Sequence, residues 1–279
     1  MSYKSIATIL HDPTCHRAAL EMAISFARKT GAHLHILCVG VDHTDPGYYY
    51  AGAQAIAVQQ NIEVAQGVAS ELEAIARARL AAEDITWDVE NVTTMPGGLD
   101  PFIADSMRFF DLVVVAAPYQ DAGSRTDALV FEACLFGASR PVLVVPEGAK
   151  TDAMFEKLMV AWDDGMPAMT AAREAIPLIT AAANAEITII DPPVHGRDRS
   201  DPGGRLASYL VRFGARANVV VLARSQPSVA NQLLMRAKES GVDLLVMGAY
   251  GHSPMREAIL GGATRDMLRV THMPVFMSH

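Results

Sequence analysis

Cysteine is scarce in this chain of 279 residues, which contains only Cys15, Cys38 and Cys134. Three widely separated cysteines do not make a disulfide framework, and they suit reduced thiols in a cytoplasmic protein. Long apolar runs are missing too, since no stretch approaches the ~20 consecutive apolar residues of a membrane-spanning helix. We therefore expect a soluble protein of the cytoplasm that does not have a membrane as partner.

Basic segments are also missing. The chain has 23 lysines and arginines against 31 aspartates and glutamates, and its net charge is −8. No run of basic residues interleaved with aromatic residues interrupts this acidic balance. An acidic surface repels phosphate backbones and anionic lipids, so nucleic acid is not expected among the partners.

Several catalytic motifs are absent. The chain has no Gly-x-Ser-x-Gly turn, no lysine-containing phosphate loop of the Walker type, and no Gly-x-Gly-x-x-Gly after its first apolar run. We therefore expect no dedicated enzyme and assign no catalytic residue.

An internal repeat organises the sequence. Asp111–Ala117 matches Asp243–Ala249, and Arg140–Val145 matches Met273–Met277. The matched Asp and Pro residues are 30 positions apart in the first copy and 31 in the second. A chain this long exceeds the usual single-domain size of about 100–150 residues. We predict two tandem domains, residues 1–148 and 155–279.

Short apolar runs alternate with amphipathic stretches in both halves, which is the pattern of a parallel sheet covered by helices. The predicted fold class is α/β: two tandem five-stranded, mostly parallel open sheets with helices on both faces, of the Rossmann-like kind. The predicted strands are 5–10, 33–39, 85–93, 111–116 and 141–145, then 158–162, 185–190, 216–223, 242–247 and 273–277.

The first helix has clear end signals. Asp12 is predicted to cap it, Pro13 suits its first turn, and Gly31 stands just beyond its end. Its apolar face, at helical spacing, is Ala19, Met22, Ala23, Phe26 and Ala27. A longer helix is expected within the surplus segment 44–83 of the first half. Beside its turn, Tyr48–Tyr50 either line a ligand surface or pack among themselves, and the second interpretation is favoured.

A glycine-rich loop in the second half carries the clearest chemistry. Gly248 and Gly251 follow the strand at 242–247, and Gly261 then opens a helix that runs to about Val270. Glycines let phosphate oxygens approach backbone N–H groups, and a helix amino end attracts anions. The alternative is a strand-to-helix connection without a ligand, but loops at the carboxyl ends of parallel strands favour an anion site.

The Gly-x2-Gly-x9-Gly spacing of Gly248, Gly251 and Gly261 resembles the signature of the universal stress protein family. The order of the strands, Val160–Asp163, and Asp201–Gly203 before a helix extend the resemblance over nearly the whole chain to the tandem members. One departure is that Gly262 stands where the family carries Ser or Thr, so one phosphate-binding hydroxyl is missing.

The resemblance implies an adenine nucleotide alpha hydrolase-like fold that binds ATP, with or without Mg²⁺, or a related adenine nucleotide. By position, Asp163 would meet the adenine or ribose, and Ile189 and Ile190 would flank the base. The ribose and phosphates would lie on Gly248, Gly251, Gly261, Gly262, Ala263 and Thr264. A regulatory role is expected, and two alternatives stay open: a nucleotide-free scaffold, and a slow Mg²⁺-dependent ATPase that uses Asp163.

The first half lacks the loop. The matched prolines align Ala128–Phe131 with Gly261–Thr264, and Leu129 and Phe131 would fill the space that phosphates need. We therefore predict that this half does not bind a triphosphate in the manner of the family.

One further group of residues near the start of the chain is of the type that binds metals. His11, Cys15 and His16 lie close in sequence and are of ligand type for zinc, but no second pair with ligand spacing supports them, so no metal is assigned.

The family resemblance also implies that the last strands, at 141–145 and 274–277, pair across a pseudo-twofold, which gives an intramolecular pseudo-dimer of the two domains. A homodimer is a further alternative.

Overall fold

The computed structural model describes residues 2–14, 16–42, 54–120, 124–152, 155–192, 201–250 and 262–279. Within these ranges the strands are β1 Ser5–Leu10, β2 His33–Val41, β3 Trp87–Thr94, β4 Leu112–Ala116, β5 Val142–Val145, β6 Lys157–Ala161, β7 Asn184–Ile190, β8 Ala217–Leu222, β9 Leu244–Gly248 and β10 Val275–Ser278. The helices are α1 Arg17–Thr30, α2 Gln54–Leu80, α3 Pro96–Met107, α4 Arg125–Glu132, α5 Met166–Glu174, α6 Ile176–Ala181, α7 Gly204–Val211, α8 Val229–Ser240 and α9 Ala263–Val270, with a π-helical turn at Ala133–Gly137 after α4.

All ten strands belong to one sheet, in the order β3-β2-β1-β4-β5-β10-β9-β6-β7-β8. Each half contributes five parallel strands in the same order, as the alternating apolar runs predict. The two predicted sheets are continuous because β5 and β10 pair antiparallel, with Val144 opposite Val275 and Val142 opposite Met277. This pairing covers two strand edges that would otherwise be open to association.

Two apolar layers enclose the sheet. On one face, helices α1, α2, α5 and α7 bury alternate strand residues such as Ile6 and Leu158. On the other face, α3, α4, α8 and α9 bury the intervening residues, such as Ala7 and Met159. Burial on both sides explains why the eight inner strands have continuous apolar runs, whereas the edge strands β3 and β8 are partly exposed.

Helix α1 ends as predicted but begins later. Gly31 stands at its carboxyl end with φ of 64°, a left-handed conformation that glycine adopts without strain, and the predicted apolar face is buried. The prediction that Asp12 caps α1 is wrong. His16 occupies the N-cap, with φ of 69°, while the Asp12 carboxylate accepts hydrogen bonds from the N–H and hydroxyl of Thr14.

Helix α2 is the main difference between the halves. It has 27 residues against eight in α7 and lies against β2 and β3. The contact is close, because a Cβ on Gly40 would lie 1.9 Å from the carbonyl oxygen of Ala65. Tyr48–Tyr50 lie outside the described residues. Among the residues described, no helix is both long enough and apolar enough to cross a bilayer.

Candidate functional site

The register of the sheet defines which residues of the two halves correspond. In β1, Ile6 lies opposite Leu112, and in β6, Leu158 lies opposite Leu244. Since Leu112 and Leu244 occupy the same place in the repeat, Ile6 corresponds to Leu158. Counting forward five residues, His11 therefore corresponds to Asp163. Asp12, which follows His11, is therefore not the counterpart of Asp163.

Asp163 lies just beyond β6, at the carboxyl edge of the sheet. Its side chain is exposed, and Oδ1 accepts a hydrogen bond of 2.8 Å from the N–H of Gly165. Gly165 is the N-cap of α5, and Asp164 between them has φ of 61°. The carboxylate therefore holds the turn into α5 at the carboxyl edge of the sheet.

Ile189 and Ile190 end β7 and face opposite sides of the sheet. Ile189 is buried in the layer beneath α5 and α7, while Ile190 packs against the other layer. Gly203, the N-cap of α7, has φ of 82°, a left-handed conformation that favours glycine, and a Cβ there would also lie 2.8 Å from Cδ1 of Ile189. The two isoleucines can both touch a base only from the edge of the sheet, where the strand ends.

Gly248 ends β9 and has a packing role of its own. A Cβ at this position would lie 2.4 Å from the backbone N of Ala168 and 2.5 Å from the carbonyl carbon of Pro167. The first turn of α5 therefore needs a glycine here whatever else binds. The chain beyond Tyr250 includes Gly251 and Gly261, which lie outside the described residues.

The next described part of the site is the amino end of α9, which begins after Gly262. Gly262 is the N-cap, with φ of −82° and ψ of 158°, and none of the side chains that the structure describes caps the helix. Ala263 is exposed, while Thr264 is buried and its Oγ1 accepts a 3.0 Å hydrogen bond from the N–H of Tyr250. The hydroxyl that the family resemblance assigns to phosphates therefore also fastens the start of the glycine loop to α9.

A cavity of about 670 Å³ lies between α5 and α7, beside the turn at Asp163. Aromatic, apolar, basic and acidic side chains share its lining, which gives it the mixture typical of small-molecule pockets. The lining includes Trp162, Asp164, Arg205, Tyr209 and Arg212. The pocket opens on the α5–α7 side of the sheet, whereas α9 covers the other side.

The corresponding helix of the first half, α4, is capped by its own side chains. Ser124 Oγ accepts from the N–H of Asp127, and the Asp127 carboxylate accepts from the N–H of Ser124. Oδ1 of Asp127 also lies 2.9 Å from Nε2 of His11 and 2.8 Å from Nε2 of His16. A carboxylate thus occupies the helix amino end that the sequence predicts as an anion site in the other half.

Burial and charge act in opposite directions on this cluster. Burial raises the pKa of Asp127, but hydrogen bonds from His11 and His16 outweigh it and hold that pKa well below its usual range. Burial lowers the pKa of His11, against the opposing hydrogen bond to Asp127. The carboxylate is therefore ionised at neutral pH, and His11 is neutral.

Phe131 and Leu129 belong to the packing of α4. Phe131 is fully buried in the apolar layer, and Leu129 is partly buried against it. Asp127 was missed in the sequence, although Ser124-x-x-Asp127 has the spacing of a capping box. Its contact with His11 had no sequence signal, because 116 residues separate the two.

The strand order and a site at the carboxyl edge define a doubled α/β protein of the Rossmann-like class. A model described as the universal stress protein family matches residues 154–279. A curated universal stress protein of Synechocystis sp. is 26% identical over 208 residues, which are 67% of this chain. The match spans 65% of that protein, which is less than two thirds of its length. The second half of the chain therefore resembles the universal stress protein family in sequence.

Solved structures show the same fold over the full chain. A universal stress protein from Archaeoglobus fulgidus aligns with a TM-score of 0.74 and 16% identity, covering 98% of this chain and 95% of that one. A functionally unknown protein from Pseudomonas aeruginosa aligns with a TM-score of 0.60 and 16% identity, covering 99% and 92%. At these identities the likeness establishes the fold of both halves.

Proposed function

We propose that the second half binds ATP or a related adenine nucleotide at the carboxyl edge of β6, β7 and β9, against the amino end of α9. The protein would act in the cytoplasm as a regulatory component of a stress response, without a catalytic role. Asp163, Ile189 and Ile190 would meet the adenosine. The phosphates would lie on the glycine loop and on Gly262, Ala263 and Thr264.

The contrast between α4 and α9 carries the proposal. Both helices follow the fourth strand of their half, where parallel α/β sheets bind ligands. In α4 the amino end is neutralised by the Asp127 carboxylate, whereas the N-cap of α9, Gly262, has no side chain that could do so. An uncapped helix start presents N–H groups and a partial positive charge, which a phosphate satisfies as the carboxylate does.

The other features at this edge are consistent in chemistry with an adenine nucleotide. Trp162 and Tyr209 offer rings, and Arg205 and Arg212 offer positive charge, in the cavity beside Asp163. Exposed Asp163 and Asp164 are oxygen ligands of the kind that Mg²⁺ takes together with phosphates. Gly262 in place of a hydroxyl residue removes one phosphate contact, so we expect moderate affinity.

The continuous sheet supports a regulatory interpretation. Pairing of β5 with β10 joins the two halves into one sheet. In the intramolecular pseudo-dimer that we propose, one half would bind a nucleotide and the other would contribute the Asp127 carboxylate. Binding at the glycine loop would then alter the surface next to the join between the halves. A second copy of the chain is the alternative partner for that surface.

A pair of substitutions at Gly262 tests the nucleotide site. Both Gly262→Ser and Gly262→Asp supply an N-cap oxygen, and the backbone there suits any residue, so both should preserve the fold. Only the aspartate adds a negative charge. ATP should bind Gly262→Ser at least as tightly as wild type and Gly262→Asp at least ~10-fold more weakly, which corresponds to about 1.4 kcal/mol.

The measurement is a calorimetric titration with ATP, ADP and AMP, with and without Mg²⁺, after mass spectrometry of what the purified protein carries. Absence of any bound or titratable nucleotide would overturn the proposal in favour of a scaffold. Equal affinity for ATP in wild type and both Gly262 variants would mean that the amino end of α9 does not contact the nucleotide. Multiple turnover of ATP that Asp163→Ala abolishes would replace the regulatory interpretation with a slow ATPase.

A further inference from the structure

The first half contains a group of metal-ligand side chains that the nucleotide proposal does not use. His11 lies after β1, His16 stands at the start of α1, and Asp127 lies in the first turn of α4. One ligand atom from each residue lies within 4.8 Å of the other two. In the described part of the chain, no other three His, Cys, Asp or Glu residues bring their ligand atoms together in this way.

The distances match the edges of a coordination polyhedron. The two histidine Nε2 atoms lie 2.9 and 2.8 Å from Oδ1 of Asp127. With metal–ligand bonds of about 2.0–2.1 Å, neighbouring ligand atoms lie roughly 2.9 Å apart at 90° and roughly 3.4 Å apart at the tetrahedral angle. Opening each of these two pairs by about half an ångström would therefore bring it to the tetrahedral spacing.

The surroundings suit a bound ion. The three side chains are between 3% and 8% exposed, so water competes little for the ligand atoms. Oδ2 of Asp127 accepts from the N–H and hydroxyl of Ser124, which orients the carboxylate and leaves Oδ1 for the histidines. Such outer hydrogen bonds commonly fix the ligands of metal sites.

The backbone of His16 adds a separate observation. Its φ of 69° is in the left-handed region, which is uncommon for a residue with a side chain. Strained backbone of this kind is concentrated at functional sites, where the surrounding contacts hold it. Here it directs the imidazole of His16 toward His11, with the ring centres 4.3 Å apart.

A hydrogen-bonded cluster without metal is the competing interpretation. In it, each histidine donates from Nε2 to Asp127, and Nδ1 of His16 accepts from the N–H of His11 at 3.4 Å. Metal binding at both Nε2 atoms moves the ring protons to Nδ1 and breaks this last contact. The contact is long for an N–H donor, so its loss costs little.

We propose that His11, His16 and Asp127 form a binding site for one divalent transition-metal ion, with Zn²⁺ as the ion that two imidazoles and a carboxylate fit best. Three protein ligands leave one position of a tetrahedral ion for water or another small ligand. The first half would then hold a cation at the place where the second half is proposed to hold a nucleotide. The two proposals rest on different residues and fail independently.

The test uses the full chain, without a histidine tag and after dialysis against EDTA, titrated with ZnCl₂ by calorimetry. One ion per chain should bind. His11→Gln and Asp127→Asn should each weaken binding at least ~10-fold, the lower range seen when metal-site partners are lost. Substitution with Co²⁺ should give visible absorption that both variants lose.

A second pair of histidines provides the matched control. His33 and His35 share the exposed carboxylate of Asp88, at 2.6 and 2.7 Å, on separate oxygens. His33→Gln should leave the Zn²⁺ titration and the Co²⁺ spectrum unchanged. If His11→Gln fails to fold, His16→Asn takes its place, since asparagine tolerates the left-handed backbone. Absence of saturable binding, or wild-type binding by the folded cluster variants, would overturn the proposal in favour of the hydrogen-bonded cluster.

Discussion

Asp111 and Asp243 perform the same structural task in the two halves of the molecule. The Asp111 carboxylate accepts from the N–H groups of Lys4 and Ser5, at 2.6 and 3.0 Å. The Asp243 carboxylate accepts from the N–H groups of Glu156 and Lys157, at 2.8 and 3.2 Å, where the second half's first strand begins. Each aspartate therefore joins the start of the fourth strand of its half to the start of the first.

We expect Asp243→Ala to lower the free energy of unfolding by about 1–2 kcal/mol, because two hydrogen bonds are lost at a site that water can reach. Asp243→Asn keeps one accepting oxygen and should cost less. Urea denaturation followed by circular dichroism measures both. An alanine variant as stable as wild type would mean that these hydrogen bonds do not contribute to the free energy of unfolding.

The glycine at the end of β9 should be required for packing even without a ligand. Gly248→Ala places a methyl group against the backbone of α5 and should cost about 1–3 kcal/mol, as overpacked sites do. Gly67→Ala is the matched control, since Gly67 lies exposed in α2 with nothing near its missing Cβ. That change should stabilise by up to about 1 kcal/mol. If both variants shift the denaturation midpoint in the same direction from wild type, the packing argument is contradicted.

The Glu186–Arg236 pair predicts one part of the pH dependence. Nε and Nη2 of Arg236 donate to the two carboxylate oxygens, at 2.9 and 2.7 Å. Burial raises the pKa of Glu186, but Arg236 and Thr188 outweigh it, so the folded-state pKa lies below its usual value. The pair's stabilisation is therefore present above the unfolded pKa of about 4.3 and is lost as pH falls through the folded pKa.

Glu186→Gln should flatten the decline of stability between the unfolded pKa of about 4.3 and the lower folded-state pKa of Glu186. Arg236→Met leaves a nearly buried carboxylate unpaired and should cost about 2–3 kcal/mol at pH 7, below the range for fully buried pairs because the arginine is partly exposed. Unfolding free energies at a series of pH values give both results. Parallel pH profiles for wild type and Glu186→Gln would exclude this carboxylate as a contributor.

Phe136 joins the two halves next to the paired strands. Its ring centre lies 5.1 Å from that of Tyr250 and 5.0 Å from that of His279. We expect Phe136→Ala to cost about 1–3 kcal/mol, below the loss at a fully buried phenylalanine, and to weaken the coupling between the halves. Calorimetric melting should then show a broader transition, or two. Phe109→Ala, at a ring that is 73% exposed, is the control and should change little.

Much of the fold could be predicted from local pattern. All ten strands lie within a few residues of their predicted places, because a parallel sheet buried on both faces needs continuous apolar runs. The glycine at position 31 marked the end of α1 for a local reason, its left-handed backbone. The start of α1 was not predictable in this way, since Asp12 satisfies its carboxylate on Thr14 and the helix begins at Arg17.

The candidate nucleotide site was likewise predictable from the sequence only in part. Gly248, Thr264 and Asp163 could be placed at the carboxyl edge because each directly follows or precedes a predicted element. That Thr264 bonds Tyr250, and that Gly248 accommodates α5, depends on how helices pack across the edge. The roles proposed for these residues toward a nucleotide stay predictions until a ligand is measured.

The sequence by itself determined the duplication, the α/β class and the loss of the glycine loop from the first half, because each depends on the order and spacing of residues along the chain. Only the tertiary structure brought Asp127 to His11 and His16, and merged ten strands into one sheet. Both are contacts between segments far apart in sequence, which the packing of helices and the free edges of β5 and β10 decide.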